Sequence, residues 1–396
     1  MVKLPIYMDY HATTPVDPRV LEAMLPALRE KFGNAASRNH PFGWEAEKLV
    51  EKARSEIAHL IHADAKELVF TSGTTESNNL ALKGVLEIYR EKGNHLITQA
   101  TEHKSVLDTA KYLEKQGARV TFLPVDHHGL VSLDALRQAV TDKTILISIM
   151  AANNEIGTVQ PLEEIGRFCK EKRILFHVDG AQAVGKIPVD VEKMGIDLFA
   201  FSSHKMYGPK GIGVLYIRKK NPRVRLTPLL HGGGQEGGLR SGTLNVPAIT
   251  GLGKACEIAE KELESEGEKL LKLRVRLHDT IKKNLADVSL NGHPEKRLPG
   301  NLNLSFPLVE GESLLMALSE EIAVSSGSAC TSARVEPSYV LKALHLPEGL
   351  IHSSIRFGLG RFTTEEEVDY TAKRVVETVK RLREISPIYK DAQKKV

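Results

Sequence analysis

The chain has 396 residues, enough for a large core and, at roughly 100–200 residues per domain, for two or three domains. With 41% hydrophobic and 26% charged residues it is neither disordered nor fibrous, and a net charge of +4, with basic and acidic residues interleaved, gives no reason to expect a nucleic-acid groove. No run approaches the ~18–20 continuous apolar residues of a membrane span, and the first residues carry no signal pattern, so the expected compartment is the cytoplasm.

Residues 44–60 read as an amphipathic helix and 67–71 as a short buried strand. A helix is expected over about 75–91, a strand over 95–99, a helix over 104–116 and a strand over 119–125. Strand 145–150, helix 162–172 and strand 174–179 follow, then strands 197–202 and 212–217 joined by a turn with Gly and Pro. Apolar strands without alternation, each followed by a helix, predict an α/β fold with a mostly parallel sheet covered on both faces. Beyond residue 220 a Gly-rich stretch, 231–242, leads into helical sequence over about 246–285. Strands at 302–306 and 323–326 and helices at 312–319, 338–344 and 365–385 complete the chain. The expected division is a large domain, 16–260, and a smaller α+β domain built from 1–15 and 261–396.

Ligands of open parallel sheets bind where loops leave the carboxyl ends of the strands. Those positions hold Ser72-Gly73-Thr74-Thr75-Glu76-Ser77, then Thr101-Glu102-His103, Asn153-Asn154-Glu155, Asp179 with Gln182, and Ser202-Ser203-His204-Lys205. Ser72 to Thr75 open a helix, where free N–H groups and the helix dipole suit an anion. The same residue types are also ordinary N-caps. Lys205 follows an apolar strand. In a partly desolvated pocket its amine can form a Schiff base with an aldehyde cofactor, although most loop lysines are simply solvated. A carboxylate placed like Asp179 is ordinarily a cap, but against a pyridinium nitrogen it keeps the ring protonated as an electron sink. One cofactor, pyridoxal 5′-phosphate, explains a phosphate cradle, an aldehyde-binding lysine and a ring-nitrogen carboxylate on one sheet.

Gly232, Gly234 and Gly237 spell G-x-G-x-x-G, but no strand precedes them and Arg240-Ser-Gly-Thr243, not a helix, follows. A dinucleotide site is therefore rejected in favour of a flexible loop or an inter-subunit contact. The three cysteines are too few and too scattered for a disulfide framework or a CxxC metal site. Cys169 and Cys256 lie at helical spacing and read as packing. Cys330 sits in a run of small and polar residues from Val324 to Ala333, which suits either an accessible, mobile nucleophile or a plain surface loop. Arg356 could grip a substrate carboxylate through two parallel hydrogen bonds or form a structural ion pair.

Over nearly its whole length the chain resembles the cysteine desulfurases of the IscS/NifS type, which are fold-type I pyridoxal-phosphate enzymes. The resemblance rests on Tyr7-Met-Asp-Tyr-His-Ala-Thr-Thr-Pro15, Phe70-Thr-Ser-Gly-Thr-Thr-Glu-Ser77, Asn153-Asn-Glu-Ile-Gly157, His204-Lys-Met-Tyr-Gly-Pro-Lys-Gly211, Arg240-Ser-Gly-Thr243 and Ser325-Ser-Gly-Ser-Ala-Cys-Thr-Ser332. It implies a seven-stranded large sheet. Lys205 would hold the cofactor and Asp179 its pyridinium nitrogen. His103 would stack on the ring and assist proton transfers, and Gln182 would hydrogen-bond the ring hydroxyl with Asn154 nearby. Thr74, Thr75, Ser202 and His204 would bind the phosphate, and Thr243 would reach the phosphate of the other subunit of a homodimer. Arg356 would bind the carboxylate of L-cysteine, and Asn154 would lie close to the substrate.

The implied reaction turns L-cysteine into L-alanine. Lys205 removes the Cα proton, and the Cys330 thiolate takes the substrate sulfur as a persulfide. An iron–sulfur scaffold of the IscU type, or another acceptor such as a tRNA-thiolation relay, would receive that sulfur. Cys330 would then also be placed to ligate a 2Fe–2S cluster transiently. Selenocysteine cleavage, or another lyase or aminotransferase reaction on the same fold, would use the same Lys205 and Asp179, and Cys330 discriminates between them. The chain departs from the family pattern at Ala35, at Gly180 where Ala is usual, and at Gly237 where Arg is common. It also lacks the usual Trp-x-x-His tail, which bears on how an acceptor docks.

Overall fold

The computed structural model describes residues 2–326 and 337–385. The first elements are β1 (Ile6–Tyr7), α1 (Pro18–Arg29), α2 (Pro41–Leu60), β2 (Leu68–Thr71) and α3 (Thr74–Ile88). Next come β3 (His95–Gln99), α4 (Lys104–Lys115), β4 (Arg119–Leu123), α5 (Leu133–Ala139), β5 (Thr144–Ser148) and α6 (Leu162–Lys172). Then follow β6 (Leu175–Asp179), β7 (Leu198–Ser202), β8 (Gly213–Ile217) and the long α7 (Val246–Asn284). The last are β9 (Ser289–Leu290), β10 (Asn301–Ser305), α8 (Gly311–Leu318), β11 (Ile322–Ala323), α9 (Tyr339–Ala343), α10 (Glu348–His352), β12 (Ser354–Gly358) and α11 (Glu365–Ile385).

Seven strands form one sheet in the order β2-β8-β7-β6-β5-β3-β4. The pairs among β4, β3, β5, β6 and β7 are parallel, while β8 runs antiparallel to both β7 and β2. Side chains alternate between two apolar layers. Phe70, Ile97, Ile147, Phe176, Phe199 and Phe201 pack on the face covered by α2, α6 and the first part of α7. Val69, Leu96, Leu146, Leu198, Ala200 and Leu215 pack on the opposite face, under α3 and α4. Burial on both faces is why these strands read as continuous apolar runs.

A second core gathers Ile6, Met8, Leu302, Leu304, Ile355 and Phe357 with α8, α11 and the second part of α7. Its sheet is β12-β10-β9, antiparallel throughout, and a separate parallel pair joins β1 to β11. At 39 residues α7 is about 58 Å long. Ala248 to Ala259 bury in the first core, whereas Leu270 to Ile281 bury in the second. Arg276 pairs with Glu365 and Asp369 between α7 and α11, but all three side chains are well exposed and such pairs contribute about 0–1 kcal/mol. Buried Leu273, Leu277 and Val375, at about 1.5–3 kcal/mol each, dominate that contact.

The short elements β1, α5, β9 and α10 were not among those expected, and neither were α1 and β12. The helix α1 was not anticipated, although Asp17 caps it by accepting from Arg19 N and Pro18 starts it. The polar run around Arg356 is the fully buried strand β12, paired with β10, because its hydroxyls bond locally: Ser354 Oγ donates to Ile351 O at 3.1 Å.

Close approach of backbone separates two glycines that look alike in sequence. A Cβ on Gly166 in α6 would lie 1.9 Å from Met194 O, while a Cβ on Gly349 in α10 meets nothing within 4 Å. Gly166→Ala should therefore destabilise by about 1–3 kcal/mol, and Gly349→Ala should be neutral or stabilise by up to about 1 kcal/mol. Urea denaturation followed by circular dichroism measures both, and equal effects would contradict the packing described.

Candidate active site

A cleft of about 670 Å³ opens at the carboxyl ends of the large sheet's strands. The loops after β2, β3, β5, β6 and β7 supply its walls, with Arg356 of β12 and the N-terminal segment His11 to Thr13 closing one side. Thr74, Thr75, His103, Asn154, Asp179, Gln182, Ser202, His204, Lys205 and Arg356 all line it, so one space gathers these sequence candidates. Thr243 is exposed and does not line this cleft, and Cys330 lies outside the described residues.

The cap reading of Ser72 to Thr75 fails in a useful way. The N-cap of α3 is Gly73, at φ +155°, and no side chain caps the helix. The first-turn N–H groups therefore stay available at the positive end of the dipole. Thr74 Oγ1 is buried beside them without a partner, although a buried hydroxyl normally has one. Glu76 is turned aside, accepting from Ser72 N at 2.8 Å and pairing with Arg240 at 2.9 Å. The cradle thus suits a phosphate.

Lys205 Nζ donates to His11 O at 2.8 Å and Ala12 O at 2.6 Å. Burial, reinforced by the positive charge of Arg356, pushes its amine down to about 8, against smaller opposing effects of Asp9 and Asp179. The neighbouring His204 is pushed down to about 4 by burial and by Lys205, so it is neutral near pH 7; its Nδ1 lies 3.1 Å from Thr13 Oγ1.

Asp179, buried at the end of β6, accepts from Asn78 Nδ2 at 2.7 Å and from Ala181 N at 3.0 Å. Asn78 Nδ2 also donates to Ser105 Oγ at 2.9 Å, and Ser105 Oγ lies 2.8 Å from His103 Nδ1. Because Ser105 N donates to that same Nδ1 at 3.1 Å, Nδ1 is an acceptor and neutral His103 carries its proton on Nε2. Glu102 is buried close by. Burial and the charge of Asp179 hold its carboxyl well above the usual range, so Glu102 is neutral.

Arg356 does form an ion pair, with Asp9 at 2.6 Å, and also donates to Asn154 O and to Ser325 Oγ, both at 3.1 Å. Its Nε is buried without a partner, so the guanidinium still has a donor to give. On the other side of the cleft Ser338 Oγ donates to Glu155 at 2.5 Å, and burial pushes the Glu155 carboxyl up to about 7. Gly180 lies flat under Phe199: a Cβ there would fall 2.1 Å from the ring, which accounts for glycine at this position. Sequence reasoning did not single out His11, Asn78, Ser105 or Lys186. Asn78 and Lys186 stood in plain view on a predicted helix and a turn, but nothing local marks which polar side chain will face a site.

The class V aminotransferase family matches this chain over residues 6–371. The cysteine desulfurase IscS of Rickettsia bellii (strain OSU 85-389) is 56% identical over 390 residues, covering 98% of this chain and 95% of that protein. A solved structure titled NifS-like protein superposes with a TM-score of 0.89 at 43% identity, covering 96% of this chain and 100% of that one. Another, titled SspA in complex with cysteine, has a TM-score of 0.80 at 38% identity, covering 91% of this chain and 100% of that one. The chain belongs to the class V aminotransferases and, within them, to the cysteine desulfurase family.

The family's cofactor is pyridoxal 5′-phosphate, and the residues present fit it. The uncapped α3 terminus with unpartnered Thr74 Oγ1 suits the phosphate, Lys205 the aldehyde and Asp179 the ring nitrogen. Only a neutral amine attacks an aldehyde. Cofactor capture by cofactor-free protein should therefore speed up with rising pH around a midpoint near 8, read by visible absorbance after rapid mixing. A midpoint near the ordinary lysine value of 10.5 would show that Lys205 is not desolvated as described.

Proposed function

We propose that this chain is a pyridoxal-phosphate cysteine desulfurase that converts L-cysteine to L-alanine and retains the sulfur as a persulfide on Cys330, for delivery to iron–sulfur cluster assembly. The observation that carries the reading is the meeting, in one cleft, of an uncapped helix terminus, a desolvated lysine, a buried carboxylate and a guanidinium with a free donor. The relatives named cysteine desulfurase, and the related structure whose title places cysteine with the protein, supply the substrate.

What the cofactor supplies when bound is a sink for the electron pair left at the substrate Cα. Arg356 orients the substrate through its carboxylate, with Asp9 and Ser325 steadying the guanidinium. Lys205 takes the Cα proton, a role suited to an amine held near 8. His103, its proton on Nε2, would assist the other proton transfers. The Cys330 thiolate attacks the substrate sulfur. The Cβ–S bond breaks with its electron pair returning to carbon, a proton reaches Cβ, and alanine leaves.

Two observations support Cys330 as the sulfur carrier. Cys169 and Cys256 are buried, and burial pushes both thiols up, so neither offers a thiolate. The described chain on either side of Cys330 is also fastened beside the cleft, through Ser325 to the cleft residue Arg356 and through Ser338 to Glu155, the neighbour of cleft residue Asn154. Exposed Thr243 suits a homodimer in which it reaches the partner's phosphate site. Arg54 and Arg240 anchor its Gly-rich stretch through Glu236 and Glu76. Among the described residues no helix is long and apolar enough to cross a membrane. We assign the enzyme to the cytoplasm, with a scaffold protein of the IscU type as sulfur acceptor. Residues 16–260 would form the cofactor-binding domain, and 1–15 with 261–396 the domain carrying Cys330.

Cys330→Ala should keep the visible absorbance of lysine-bound cofactor yet lose sulfide release from cysteine with dithiothreitol by at least a hundredfold. Mass spectrometry of the wild-type protein after isotopically labelled cysteine should place the label on residue 330. Sulfide release by the variant at the wild-type rate would overturn the persulfide step.

A further inference from the structure

Behind the cleft wall Gln182 closes on two side chains outside the expected set, His11 and Lys186. Gln182 Oε1 receives Lys186 Nζ at 2.8 Å and lies 3.0 Å from His11 Nδ1, while Gln182 Nε2 donates to His11 O at 2.9 Å. Lys186 can only donate at that distance while charged, and His11 O can only accept. Turning the amide over would set Nε2 against the ammonium and Oε1 against a carbonyl, so both ends of Gln182 refuse the flip. Both lone pairs of Oε1 are taken, and the polar function Gln182 keeps for the cleft it lines is an N–H.

Lys186 forms no ion pair among the described residues, and the small cavity it shares with His11, Tyr207 and Glu266, about 10 Å³, has room for about one water. The one carboxylate of that cavity, Glu266, is already paired with Arg361 and acts on Lys186 only at a distance, so a cation drawn out of water to meet an amide oxygen is a costly arrangement for structure alone. Burial and the charge of Lys205 push Lys186 down to about 7, in keeping with that setting.

We propose that Lys186 is a positioning residue for the reaction: by holding Gln182 Oε1 while His11 O holds Nε2, it helps keep Gln182 an N–H donor toward the cofactor's ring oxygen. The inference rests on the pyridoxal-phosphate reading and on Gln182 facing that oxygen. An N–H donor favours the anionic oxygen, which weakens that oxygen's hold on the proton of the Lys205–cofactor linkage. An amide free to turn over would lose this preference.

The test is a double-mutant cycle on full-length protein loaded with pyridoxal phosphate, read as the midpoint of the pH titration of its visible band. Lys186→Met and Gln182→Leu should each raise the midpoint by about half a pH unit, roughly a threefold change in proton affinity. In the double variant the midpoint should rise no further than with Gln182→Leu alone, because Lys186 acts through Gln182. Additive shifts would mean that Lys186 acts by its charge directly, and no shift with Lys186→Met would mean that it does not act at all. Either overturns the proposal. Lys186→Leu serves the same cycle should the Met variant not fold. Failure of wild-type protein to show the band would instead sink the cofactor reading.

Discussion

An ammonium taken from water costs several kcal/mol unless a carboxylate meets it or it gives up its proton. Lys205 is held by two backbone carbonyls and faces the positive Arg356, so its proton is loosened and its amine pushed down to about 8. Much of the cleft follows from that constraint. The carbonyls come from His11 and Ala12, so the N-terminal segment must cross the sheet end. It is fixed there on one side by β1 pairing with β11 and on the other by Thr14 N donating to His204 O. A short strap thereby ties the second core to Lys205 in the first.

Charge elsewhere in the cleft is distributed by the same logic. Two buried acids stand near each other and are treated differently: Glu102 is held neutral, while Asp179 accepts from the donors Asn78 and Ala181. Asn78 also reaches Ser105, which sets the tautomer of His103. One amide, with Ser105 between, therefore links the Asp179 carboxylate to the His103 imidazole. On the far side Lys186 stands to Gln182 much as Asn78 stands to Asp179, a neighbour that decides which hydrogen-bonding face a cofactor-binding group presents.

The positions of strands and helices were legible because their signals are local. Residues 95–99 and 365–385 form the elements expected of them, and most others differ by a few residues at their ends. The helix at Pro18–Arg29 escaped notice in spite of its Asp17 cap, and β12 was hidden because a buried polar strand looks like a loop until its partner strand is known. Lys205, Asp179 and His103 could be singled out because each stands at the end of a readable strand, whereas Arg356, on the hidden strand, was singled out by its guanidinium alone; the structure brings all four to one cleft.

By itself the sequence determined the α/β class, the strand ends where chemistry gathers, and the reactive residue types placed there. Periodicity and turn chemistry act over a few residues, so one strand suffices to show them. Only the tertiary structure decided that Gly73 leaves α3 uncapped, that Arg356 meets Asp9, and that Lys186, far from any motif, fixes an amide in the cleft. Those outcomes depend on which distant donor meets which acceptor once water is excluded, and no local pattern records such pairings.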